Sequence, residues 1–301
     1  MQDVGPSALP EICENWLAYL GSQRRLAPLT LESYRRDLLR LSELANGRAP
    51  AVLERHDIRR FAARLHAGGL SGRSIARVLS AWRGLYRWLI RQGLAQANPV
   101  DGVRAPRAPR TLPRTLTPEQ TCAMLEAEAE DGLELRDKAM FELMYSAGLR
   151  VSELASLDVI GSVDPADETL TVTGKRGKTR TVPVGAPALA ALRVWLDQRD
   201  AWACGDEVAL FVTRNGRRMS RGAIGARLTR WTLRHGVGQH VHPHMLRHSF
   251  ASHVLQSSGD LRAVQELLGH ASIRSTQVYT HLDFQHLARV YDAAHPRARK
   301  R

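Results

Sequence analysis

Two domains, mainly α-helical and carrying one small β-sheet, are expected from three features of this chain. Apolar residues recur at helical spacing along most of its 301 residues, strand-type alternation is confined to 169–184, and a stretch crowded with proline and arginine interrupts the periodicity a third of the way along. The length suits two domains of ordinary size, each with its own core.

The first domain, 1–105, reads as helical throughout. Ile12, Trp16, Leu17 and Leu20 share one face, as do Leu31, Tyr34, Leu38, Leu41 and Leu44, and then Ile58, Phe61 and Leu65. Gly68-Gly69 and Ser71-Gly72 break the pattern ahead of a long helix expected over 73–92. At about 100° per residue, Ile75, Val78, Leu79, Trp82, Leu85, Tyr86, Leu89 and Ile90 fill an arc of roughly 140°. Arg73, Arg77, Arg83, Arg87 and Arg91 fill an arc of roughly 120° opposite it. Residues 58–100 hold no Asp or Glu, so this face lacks the i,i+4 carboxylates of an ordinary solvated helix and is expected to contact phosphates.

Next come Pro99, Pro106, Pro109, Pro113 and Pro118, with Arg104, Arg107, Arg110 and Arg114 between them. Such a run cannot be helical, and 106–117 is expected to be an extended basic linker, stiff enough to follow a phosphate backbone. The second domain, 118–301, is expected to open with helices near 118–129 and 134–146. Residues 169–173 and 179–184 then alternate and are rich in Thr and Val, and Gly174-Lys175-Arg176-Gly177-Lys178 joins them, which predicts a β-hairpin with a basic tip. Helical spacing resumes near 187–199, 220–235, 243–256, 260–268 and 273–292.

Charge points to the partner. The chain has 43 Lys and Arg against 30 Asp and Glu, a formal net charge of +13, and only Lys138, Lys175, Lys178 and Lys300 are lysines. Arginine's planar fork suits phosphate, so nucleic acid is the expected ligand. Most of the excess lies in the first 110 residues, where grip on duplex DNA is expected. Hydrophobic residues make up 44% of the chain without any run long enough to span a bilayer, and the N-terminus has no secretory signal. With Cys13, Cys122 and Cys204 odd in number and far apart, a cytoplasmic protein without disulfides is expected.

Two familiar motifs are excluded. Gly177-Lys178-Thr179 would need a glycine at 172 to form a phosphate-binding loop, and Val172 stands there. His244 and His248 lie one helical turn apart, but Met245 replaces the glutamate of a zincin, no Asp or Glu occurs between Glu207 and Asp260, and Arg247 beside them would repel a dication. No metal site is expected.

What remains is a set of cations and one hydroxyl. Arg150 opens a helix after Gly148, with Glu153 three residues on to orient it; His244 and Arg247 project together; His270 follows a helix-ending Gly269; and Tyr279 lies nine residues later. With Lys175 on the hairpin, these groups are what metal-independent phosphoryl transfer through a tyrosine nucleophile needs. Guanidinium and imidazole donors stabilise the charge of a pentacoordinate phosphorus, and a lysine can protonate the leaving oxygen.

These motifs resemble those of the tyrosine recombinases, the phage-integrase family, along essentially the whole chain. The family's Arg–Lys–His–Arg–His–Tyr set falls on Arg150, Lys175, His244, Arg247, His270 and Tyr279, with Glu153 in the place of its supporting acid. The resemblance implies a two-domain DNA clamp, with an all-helical core-binding domain and a mixed α/β catalytic domain. It also implies cleavage by Tyr279 to a 3′-phosphotyrosyl bond and religation without metal, ATP or other cofactor. Within the family, 280–298 is similar to the Xer chromosome-dimer recombinases. That similarity implies a dif-like double-stranded DNA site, XerD as partner in a heterotetramer, and activation by the translocase FtsK acting chiefly on XerD. Phe284, Leu287, Val290 and Tyr291 space as one apolar face beyond the nucleophile, and the resemblance implies that this tail is exchanged between protomers.

Overall fold

The structure is a computed structural model that describes residues 9–107, 115–174, 177–235, 240–269 and 281–298. The chain divides into two compact units, 1–111 and 112–301, each with its own hydrophobic core.

Four helices build the first unit: α1 (Glu11–Ser22), α2 (Pro28–Ala45), α3 (Arg55–Ala67) and α4 (Gly72–Arg91). Local chemistry sets their starts. Pro28 occupies the first turn of α2, Glu54 and Asp57 form a reciprocal capping box on α3, and the Ser71 hydroxyl accepts from the Ser74 amide at 3.2 Å to cap α4. Trp16, Leu38, Phe61 and Trp82 fill the centre. The polar ends of the buried rings are satisfied: Trp82 donates to the Asp37 carbonyl and the Tyr86 hydroxyl to that of Pro50, both at 2.7 Å. One expected core position differs. Ile90 is 39% exposed, while Trp88 is buried with its ring 6.3 Å from that of Tyr19.

In the second unit, α5 (Pro118–Glu126), α6 (Gly132–Ser146) and the short α7 (Val151–Ala155) precede a sheet. Its strands β1 (Val163–Asp164), β2 (Thr169–Thr173) and β3 (Thr179–Pro183) are antiparallel in that order, with Leu170 opposite Val182 and Val172 opposite Arg180. Helices α8 (Ala186–Arg199), α9 (Arg221–Arg234), α10 (Pro243–Ser258), α11 (Leu261–Leu268) and α12 (His281–Ala294) complete the described residues. The expected hairpin is present. The helix expected to open at Arg150 is α7, only five residues long, whereas β1 was not legible because two residues carry too little periodicity. The helix expected from 273 is described only from 281; 273–280 lie outside the described residues.

Helix α6 is buried on nearly every side, which explains why its apolar residues form no single stripe. Its charged residues are paired accordingly. Asp137 bonds Arg136 at 2.6 Å and also Arg227, and Glu142 bonds Arg297 through both carboxylate oxygens. Burial nevertheless pushes both carboxyls above their ordinary values, against the pull of those arginines.

Two features fix the ends of this unit. At its entrance, the Leu116 amide donates to the Ser249 hydroxyl at 2.9 Å and the Leu116 carbonyl meets Nε2 of His253 at 2.9 Å, both on α10. At its exit, the apolar face of α12 is covered by its own chain. Leu287 and Tyr291 are 4% and 1% exposed, the Tyr291 hydroxyl bonds Ser146 at 2.6 Å, His295 stacks on Tyr291, and the Ala186 amide donates to the Ala298 carbonyl at 3.2 Å. In this single chain the described part of that face, Leu287 and Tyr291, packs into the core of its own unit.

Candidate active site and nucleic-acid interface

Gly148 shapes the approach to the site. Its φ is +56°, and a Cβ there would come within 2.5 Å of the Phe250 ring, so only glycine turns the chain tightly enough at this point. Two residues later Arg150 occupies the N-cap of α7. Its amide and its Nη1 donate to the two oxygens of Glu153, at 2.8 and 2.7 Å. The Arg150 side chain remains 26% exposed while that of Glu153 is 2% exposed, so the arginine faces outward from a buried anchor.

Arg247 reaches the same carboxylate from α10, with Nη1 3.7 Å from Oε2. Its fork donates to the carbonyls of Gly148 and Leu268, both at 2.5 Å. Burial, with Arg150 close by, lowers this guanidinium from its ordinary 12.5 to about 10, only partly opposed by Glu153. Helix α10 is capped by His242, whose Nδ1 accepts from the Met245 amide at 3.2 Å, with Pro243 in the first turn. Burial and the neighbouring His244, His240 and His248 lower the pKa of His242, which keeps its ring neutral as an acceptor. His244 stands exposed in that first turn, on the positive end of the helix dipole.

A third arginine completes the cluster. Arg180 on β3 pairs with both oxygens of Glu153, at 2.8 and 3.0 Å. Burial would raise the Glu153 carboxyl, but the hydrogen bonds from Arg180 and Arg150 and their charges outweigh it and hold the group at about 2. Three guanidinium groups around one carboxylate leave two positive charges uncompensated among the described residues, a cradle for an anion.

The structure therefore brings Arg150, Glu153 and Arg247 together and sets His244 on the helix that carries Arg247. Lys175, His270 and Tyr279 lie outside the described residues. Arg180 and His242 were missed by sequence reasoning, and each left a signal. Arg180 holds the parity of Val182 in an alternating strand, an inward position where a cation must find a partner. His242 directly precedes a proline that begins a helix.

On the first unit, the arginines of α4 fall into two groups. Arg73 and Arg87 are exposed. Arg77 bonds Ser33 at 2.7 Å and also Asp37, Arg83 is half-buried with Asp101 at 3.4 Å and the carbonyls of Val100 and Val103, and Arg91 lies over the Tyr19 ring.

Residues 114–286 match the phage integrase family, and residues 13–93 match the phage integrase N-terminal SAM-like domain. The chain belongs to the phage integrase family.

Family membership makes it a tyrosine recombinase, a site-specific DNA recombinase by class. Among relatives in this family, a protein named tyrosine recombinase XerC from Ralstonia pickettii is 51% identical over 322 aligned residues, covering 100% of this chain and 98% of its own. Another of that name from Alcanivorax borkumensis is 50% identical over 289 residues, covering 95% and 94%. Two solved structures share the fold. The XerH site-specific recombinase bound to a palindromic difH substrate has a TM-score of 0.67 at 23% identity, covering 97% of this chain and 85% of that one. The Tn1549 transposon integrase with a circular intermediate DNA has a TM-score of 0.74 at 18% identity, covering 87% and 92%. Among the described residues, no helix is long and apolar enough to cross a membrane.

Proposed function

We propose that this chain acts as XerC does, cutting and rejoining dif-like DNA together with XerD in the cytoplasm, so that chromosome dimers are separated before cell division. The translocase FtsK is assigned as activator, chiefly through XerD. The observation that carries the proposal is the pair of arginines, Arg150 and Arg247, sharing the buried Glu153 at the capped start of α10. This is a doubly cationic pocket of the kind a phosphodiester requires while its charge grows under attack.

In this reading the Tyr279 hydroxyl gives its proton to a neighbouring base as its oxygen attacks the scissile phosphorus and forms a 3′-phosphotyrosyl bond. The bond to the 5′-oxygen breaks, and that oxygen takes a proton, from Lys175, to leave as a free hydroxyl. Arg150 and Arg247 bind the non-bridging oxygens, while His244 and His270 add donors. The 5′-hydroxyl of a second duplex then attacks the phosphorus, and Tyr279 leaves with its proton restored. The number of phosphodiester bonds is unchanged, so no energy source enters.

The first unit supplies grip, with the α4 arginines on the phosphate backbone and 106–117 as the linker between domains 1–105 and 118–301. The test is incubation with a nicked dif-like suicide duplex, followed by denaturing electrophoresis. A covalent protein–DNA adduct is expected from the unaltered chain and none from Tyr279→Phe. An adduct that persists in Tyr279→Phe would overturn the nucleophile. Relaxation of a plasmid lacking the site, without recombinants, would replace recombination by a type IB topoisomerase activity.

A further inference from the structure

Every side-chain nitrogen of Arg180 is already engaged inside the protein. Nη1 and Nη2 are spent on the two oxygens of Glu153, Nε donates to the Leu267 carbonyl at 3.1 Å, and the side chain is only 10% exposed. It touches three separate pieces of chain: its own strand β3, the start of α7 through Glu153, and the end of α11 through Leu267. The fit at the last is close. Gly269, in the left-handed region at φ +62°, ends α11, and a Cβ there would lie 3.0 Å from Cδ of Arg180. The next carbonyl, that of Leu268, takes Arg247. Two guanidinium groups thus hold consecutive carbonyls at the negative end of one helix, and the same two meet on one carboxylate.

Among the described residues, Glu153 links Arg180 to the phosphate-facing Arg150: Oε1 is shared by Nη1 of both arginines. Arg150 alone grips the carboxylate through its own neighbouring backbone, a local loop with little to fix its plane. Arg180 adds a bidentate fork anchored in the sheet.

We propose that Arg180 is a positioning residue for strand cleavage: it fixes the plane of Glu153, and through it the guanidinium groups of Arg150 and Arg247, without touching the DNA. The proposal rests on the recombinase reading above. It predicts a defect that depends on the charge carried by the scissile phosphate. Replacing one non-bridging oxygen by a methyl group removes that charge, and the exact placement of the two arginines then matters much less.

The experiment measures single-turnover cleavage by the full chain on two dif-like suicide duplexes, one with an ordinary scissile phosphodiester and one with a methylphosphonate there. Arg180→Met is expected to slow phosphodiester cleavage on the order of 10²-fold, the usual consequence of an ångström of misplacement, with DNA binding unchanged. On the methylphosphonate the slowing is expected to be under about 3-fold. Adding Glu153→Gln to Arg180→Met should slow the reaction no further than the more severe single change, because the two act as a unit. Where Arg180→Met fails to fold by thermal melting, Arg180→Lys keeps the charge without the fork and should show the same contrast between substrates at smaller amplitude. Equal slowing on both substrates, or no slowing, overturns the positioning role while leaving the recombinase reading intact. No adduct from the unaltered chain on the phosphodiester overturns both.

Discussion

Glu153 shows what a residue-scale reading of the sequence delivers and what it omits. The i,i+3 spacing of Arg150 and Glu153 was enough to pair them, since a helix start places such residues side by side. Arg247 was identified as a donor, but its partners, the carbonyls of Gly148 and Leu268, lie 99 and 21 residues away, and no local pattern encodes them. Arg180 was read only as part of an alternating hairpin strand, because its partners Glu153 and Leu267 lie 27 and 87 residues away. His295 had no motif at all, yet it is among the most perturbed groups. Burial against Tyr291, Tyr145 and Phe250 lowers its pKa from 6.5 to about 3. The folded value lies below the unfolded one, so between those limits the unfolded chain binds the extra proton. The stability that a neutral His295 contributes is therefore complete above about pH 6.5 and is lost as pH falls toward 3, by up to about 1.4 kcal/mol per pH unit. Urea titrations from pH 7.5 to 4.5 should show this slope, and His295→Phe, which keeps a stacked ring, should flatten it. An unaltered slope would place the pH dependence elsewhere.

Among elements, the helices and the β-hairpin were legible, and the two-residue strand β1 was not. Helix α4 is the instructive case. Its apolar and arginine faces were read correctly as opposite sides, but periodicity says nothing about which arginines are already engaged. Asp37, buried on the neighbouring α2, draws in Arg77 and Arg40, and the loop after α4 draws in Arg83. Exposed Arg73 and Arg87 are left best placed for phosphate. If they act so, each Arg→Ala change should reduce the slope of log affinity against log salt by about one unit, measured on duplex DNA by anisotropy. Arg77→Ala should instead lower the melting temperature of the first unit, because it strips a partner from a buried carboxylate. A salt slope unmoved by Arg73→Ala and Arg87→Ala together would remove α4 from the DNA interface.

For the whole molecule, the two-domain plan was readable because prolines cannot be hidden in a helix. The course of the C-terminal segment was not, since an apolar stripe states only that something covers it. Here the chain covers it itself, and Arg297 fastens the end to Glu142 and Glu126. Deleting 284–301 therefore removes core residues as well as any exchange segment. The deletion should lower the melting temperature of the second unit by roughly 10 °C or more, given about 3–5 kcal/mol for a buried aromatic residue alone. Removing only 299–301 should leave it within about 2 °C. Were the longer deletion thermally silent, the packing of Tyr291 and Arg297 would contribute nothing to stability. An assembly defect measured with that deletion is informative only after this control.

The anchorage of Leu116 has a mechanical meaning. Its amide and carbonyl are tied to Ser249 and His253, two and six residues beyond Arg247 on one continuous helix. A load on Leu116 therefore falls on α10, the helix that carries Arg247, and not on a side chain at its end.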